Sequence, residues 1–161
     1  MTVFGKPLSE YTQFCKLFLI LIPIVGIARL ALSLAGEPNS TAKWISVSAA
    51  LWAAALFYAV RIYIRGFGSY KQLLVICFLL NLTAQAVIIF GIVLAIFSGQ
   101  PNIYSAPEYA FGSDGATWLH AGAHLVIGTI AGTLAPWLIG SLVLFVTSKM
   151  SKPNPRIRSV A

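Results

Sequence analysis

Four long apolar runs separated by short polar breaks dominate the chain, at about 14–35, 44–64, 73–97 and 118–146. At 1.5 Å per residue, about 20 helical residues cross the hydrocarbon core of a bilayer, and every run reaches that length. Buried strands would be far shorter. The period-2 alternation that builds an outer-membrane barrel is missing. The breaks carry turn residues: Gly36-Glu37-Pro38-Asn39-Ser40 after the first run, Gly66-Phe67-Gly68-Ser69 after the second, Ser98-Gly99-Gln100-Pro101-Asn102 after the third. The pattern predicts an all-α integral membrane protein with a single membrane domain over 1–161. Its four-transmembrane-helix bundle carries a long connection over 98–117 and a basic tail over 149–161. The first run follows Lys6 and Lys16 and ends in Ser33-Leu34-Ala35, the outline of a signal peptide. It is too long for a signal h-region, and the expectation is an uncleaved helix.

Composition agrees with the pattern. Hydrophobic residues make up 58% of the chain and charged residues 9%, against about 45–50% and about 25% in soluble domains. Four spans use up 161 residues, so no second soluble domain is expected. Eleven basic and four acidic residues give a formal charge of +7, which in a soluble chain would point toward nucleic acid. Position changes that reading. Nine of the eleven basic residues fall in the N-terminal tail (Lys6, Lys16), the second connection (Arg61, Arg65, Lys71) and the C-terminal tail (Lys149, Lys152, Arg156, Arg158). In a four-helix chain those places share one side. Glu37, Glu108 and Asp114 occupy the two connections of the other side. The positive-inside rule then puts both termini in the cytoplasm and 98–117 outside, for a multi-pass protein of a bacterial cytoplasmic membrane. The expected partners are the lipid bilayer and anionic headgroups of the inner leaflet, with no nucleic acid.

The few polar residues inside the runs carry the candidate chemistry. None of the runs contains Asp or Glu, which removes proton-pumping carboxylates and aspartyl proteolysis. Walker loops, nucleophile elbows and zinc-protease motifs are absent too. Cys15 and Cys77 form no C-x-x-C pair and are expected to be inert buried thiols. The chain therefore leans away from enzymatic activity.

Arg29 is the one full charge well inside a run. Its long side chain is expected either to snorkel outward toward Glu37 or to clamp an anionic group such as a lipid phosphate or carboxylate. Asn81 and Gln85 stand one turn apart near mid-membrane and should point at protein, as interhelical hydrogen bonds or as a pocket wall. His120 and His124 share a helix face at the outer start of the fourth run. Four-residue steps from His120 continue through His124, Gly128, Gly132, Pro136 and Gly140. Gly128 and Gly132 form a GxxxG that allows close backbone approach, within the chain or between copies in a homo-oligomer. Ser46, Ala50 and Ala54 offer a second small face, and Pro136 should kink its helix or free a carbonyl. The connection 98–117, with Tyr104, Tyr109 and Phe111, is expected to cap the outer interface.

Together these residues predict an outward-facing polar pocket lined by Arg29, Asn81, Gln85, His120 and His124. The matching function is a non-enzymatic binding, accessory or transport-related membrane component. The alternative is a haem- or metal-binding redox or sensor protein using His120 and His124. A divalent metal would then need Glu108 or Asp114 as a further ligand, because two imidazoles alone are too few. Both histidines lie on one helix, so a single chain cannot supply opposed axial ligands to a haem.

Overall fold

The computed structural model describes residues 1–110 and 114–150. The tail beyond Met150, with Lys152, Arg156 and Arg158, lies outside the described residues, as does Phe111. The chain opens with a two-stranded hairpin, β1 (Thr2–Val3) and β2 (Lys6–Pro7), that the apolar pattern does not announce. Six α-helices follow: α1 (Leu8–Leu34), α2 (Asn39–Ala42), α3 (Val47–Arg65), α4 (Tyr70–Ser98), α5 (Trp118–Ala123) and α6 (Thr129–Met150). A 3-10 turn lies at Pro107–Tyr109, and a five-residue π turn, His124–Gly128, joins α5 to α6. Four helical stretches are long and apolar enough to cross a membrane: Leu8–Leu34, Asn39–Arg65, Tyr70–Ser98 and Trp118–Met150.

The helix ends are fixed by ordinary capping chemistry. The Ser46 hydroxyl accepts the Ala49 amide at 3.2 Å and starts α3. The Ser69 amide donates to Gln72 Oε1 at 2.8 Å at the start of α4. Gly66 and Gly99 close α3 and α4 with φ of 60° and 68°, where a side chain would be strained. α1 begins earlier than its apolar run, at Leu8, and Lys6 just before it pairs with Glu10 of its first turn at 3.0 Å. Glu10 is therefore helical, although the run proper starts after it.

α3 and α4 each pack against the other three long helices, so α1 and α6 form the open diagonal of the bundle. The interior and the surface have exchanged their usual character. Ile20, Ile24 and Ile27 of α1 and Ile130, Leu134, Leu138 and Leu142 of α6 face outward, exposed. Arg29, Asn81, Gln85 and Thr133 are buried. Water would oppose such an arrangement and hydrocarbon would favour it, since buried polar groups then satisfy one another.

The basic residues of the N-terminal segment and the second connection meet at one end of the bundle. Gln72 Nε2 donates to the Phe4 carbonyl at 3.0 Å. Lys6 Nζ lies 4.6 Å from the Phe67 ring centre, and Arg61 lies 5.2 Å from that of Phe14. The described residues of the connection, 98–110 and 114–117, lie at the opposite end. Asn102 Nδ2 donates to the Gly91 carbonyl at 2.7 Å, the Ile103 amide donates to Ser33 Oγ at 2.8 Å, and the Tyr104 hydroxyl donates to the Gly26 carbonyl at 2.9 Å. These three bonds seat the connection between α1 and α4 as an ordered cap.

Candidate functional site

The fourth long stretch does not run as one regular α-helix. Thr117 Oγ1 accepts the His120 amide at 3.2 Å and starts α5, and the helix then widens at His124–Gly128. A π turn spends one more residue on its turn and re-aims the carbonyls beside it. Asn81 uses those carbonyls. Its Nδ2 donates to the Gly128 carbonyl at 3.2 Å, to the Thr129 carbonyl at 2.9 Å and toward Thr133 Oγ1 at 3.1 Å.

The glycine stripe supplies the space. A methyl on Gly132 would stand 2.5 Å from Asn81 Oδ1, and one on Gly128 would stand 2.9 Å from Gln85 Oε1. The GxxxG thus admits two side-chain amides of α4 rather than a second backbone. Within one chain this face is already filled, and a second copy packing on it would have to displace both amides.

Backbone carbonyls can only accept, so they fix the orientation of everything attached to them. They hold the Asn81 amide nitrogen toward α6, which turns Asn81 Oδ1 to the Gln85 Nε2 donor at 3.2 Å. Gln85 Oε1 therefore faces His124 Nδ1, at 2.9 Å. An amide oxygen accepts, so the proton sits on His124 Nδ1 and Nε2 keeps its lone pair. His120 follows the same logic: its Nδ1 lies 2.8 Å from the Gly115 carbonyl. The two rings are 4.9 Å apart between centres, tilted by 56°. Each imidazole is anchored through Nδ1, an arrangement that in the neutral ring leaves Nε2 as the acceptor.

Beside the amides lies a cavity of about 130 Å³ between α3, α4 and α6, with Ser48, Trp52, Asn81, Gln85 and Pro136 in its wall. It has room for a few waters or a small polar ligand. Asn81, Gln85, His124 and His120 are thus brought together, as their spacing on two helices suggested. Arg29 is not among them. It lies on the inward face of α1, with its guanidinium carbon 5.5 Å from the Tyr104 ring centre and 5.2 Å from that of Tyr109. The expected reach toward Glu37 is replaced by this aromatic enclosure.

The candidate metal carboxylates also stand apart. Glu108 accepts from Asn39 Nδ2 at 3.5 Å, and Asp114 accepts the Ala116 amide at 2.9 Å. Among the described residues, no three His, Cys, Asp or Glu side chains gather closely enough to hold a metal ion. Among the described residues, an ion at the histidines would find only these two of the usual His, Cys, Asp or Glu ligands.

The chain matches no family model, no curated protein and no solved structure. The site's chemistry lies in its own atoms: two imidazoles anchored through Nδ1, an oriented amide pair and a small adjoining cavity. Thr133 and the Gly115 carbonyl complete the network without a sequence signal, because neither belongs to a motif. Gln85→Met should free the His124 ring and leave Asn81 Oδ1 without its donor. Interhelical bonds of this kind contribute modestly, so a loss of about 1–2 kcal/mol is expected on unfolding in mixed micelles.

Proposed function

We propose that this chain is a small multi-pass membrane component that binds a polar ligand in the outer half of its bundle and carries an accessory or transport-related role. The observation behind this reading is the cavity whose wall includes Asn81 and Gln85, the two amides that the π turn orients. Native mass spectrometry tests it. A small molecule that travels with the purified protein and is lost in Ser48→Trp, which places an indole at the cavity wall, supports the reading. Identical bound masses in both proteins count against it.

The proposed setting is the cytoplasmic membrane of a bacterium, with both termini in the cytoplasm. The gathering of Lys6, Arg61, Arg65 and Lys71 at one end supports this orientation. Trp44 and Trp118, both exposed, suit the opposite interface. In a Cys15→Ala, Cys77→Ala background, Ser40→Cys should react with an impermeant thiol reagent on intact cells. Ser69→Cys should react only after lysis, and the reverse result would invert the orientation.

A second reading is favoured by the two Nδ1 hydrogen bonds. Histidines that ligate metals are generally oriented in this way, through the ring nitrogen that does not ligate. A divalent metal would take His120 Nε2 and His124 Nε2, with its remaining positions left to ligand or solvent. A haem would be held by one of the two imidazoles, and the group would supply redox chemistry when bound. Metal content lost in both His120→Ala and His124→Ala, or a Soret band lost in either one of them, would support this reading. Neither property in the wild type would leave the first.

A further inference from the structure

Arg29 presents a separate problem across α4 from the amide pair. Gly26, one turn before Arg29, packs toward Val87 of α4 and Tyr104, whereas Gly128 and Gly132 face Gln85 and Asn81. Arg29 lies five residues, about 8 Å, before the end of α1 at Leu34. It is only 9% exposed, and its Nε is buried without a hydrogen-bond partner. Among the described residues the one ion pair is Lys6–Glu10, at the other end of the bundle.

The surroundings stabilise the charge without using its donors. The ring centres of Tyr104 and Tyr109 lie 5.5 and 5.2 Å from the guanidinium carbon, an aromatic enclosure that attracts a cation through its π faces. Ring faces accept no full hydrogen bond, and an arginine carries five N–H donors in a rigid fork. The Tyr104 hydroxyl is already committed to the Gly26 carbonyl. Burial pushes its pKa up to about 12, so at neutral pH it is no counter-ion. Glu108, the carboxylate next to Tyr109, accepts from Asn39 instead. A buried cation in this position calls for an anion that the described chain does not supply.

We propose that Arg29 is an anion-binding site closed by the outer connection, taking one carboxylate or phosphate group on the Nε edge of its guanidinium between Tyr104 and Tyr109. The Nε edge suits a two-oxygen acceptor, because Nε–H and one terminal N–H point in parallel. The anion is either a soluble carboxylate or phosphate, or the headgroup of an anionic lipid. The site shares no residue with the cavity of Asn81 and Gln85, so each can fail independently.

The test uses the full chain. In detergent at constant ionic strength, sodium acetate or inorganic phosphate should raise the unfolding temperature of the wild type and leave Arg29→Gln unmoved. Nanodiscs of phosphatidylcholine with and without phosphatidylglycerol form the second arm. Stabilisation by the anionic lipid alone, again lost in Arg29→Gln, assigns the headgroup as the source. Tyr109→Leu keeps the charge and removes the more exposed ring, so the anion should be needed at about tenfold higher concentration. If Arg29→Gln does not fold, Tyr109→Leu decides. An anion response equal to wild type in Tyr109→Leu, or no wild-type response in either arm, overturns the site.

Discussion

Asn81→Asp should destabilise the bundle by about 4 kcal/mol at neutral pH, although it changes almost no volume. Asn81 is fully buried and donates toward three oxygens, two of them backbone carbonyls at 3.2 and 2.9 Å. A carboxylate has nothing to donate, so oxygen would face oxygen at both carbonyls. Its charge would also be buried, with only Gln85 Nε2 and the Thr133 hydroxyl in reach as donors. Asn81→Leu removes the same bonds without adding a charge and should cost about half as much, because interhelical bonds contribute modestly in bundles. Equilibrium unfolding by sodium dodecyl sulfate in mixed micelles measures both. An Asp variant as stable as the Leu variant would mean that Asn81 is not oriented by those carbonyls.

Gly132→Ala is the second large effect, a net loss of about 2 kcal/mol. The added methyl would stand 2.5 Å from Asn81 Oδ1 and 3.0 Å from its Cγ. Asn81 has little freedom to yield, since its amide is tied at both ends. Helix propensity works the other way, by about 1 kcal/mol in favour of alanine, and does not offset a clash with a fixed group. Gly122 supplies the control. Nothing lies within 4 Å of a methyl there, so Gly122→Ala should be neutral or slightly stabilising. Equal effects at the two glycines would show that the Gly132 face is loosely packed.

The four long helices were legible because length and apolar content identify a span without any tertiary knowledge. Their ends were less so. α1 reaches back to Leu8 through a polar turn, with the Lys6–Glu10 pair beside it, that an apolar scan passes over. Asn81 and Gln85 were recognisable as a pair on one face, and so was the glycine stripe. That the glycines make room for the amides depends on the register of α4 against α6, which neither pattern carries alone.

The π turn had no signal of its own, and its carbonyls are engaged by a side chain 47 residues earlier. Arg29 illustrates the same limit. Its depth was readable, but its direction depends on Tyr104 and Tyr109, brought over it by a connection far along the chain. The aromatic connection predicts a cap over this end, but the three bonds that seat it come from residues with no motif, so which rings meet the arginine was not legible.

The fixed orientation of the amides has one more consequence. Hydroxyls and imidazoles can pass a proton along a row by accepting on one side and releasing on the other. An amide does so only through its imidic acid form, which is far too unfavourable to populate. Two amides in series, Gln85 and Asn81, therefore interrupt any such relay from His124 into the bundle. The row of side chains should carry no proton inward, so His124 should exchange its protons with the side from which it is reached rather than through Gln85 and Asn81.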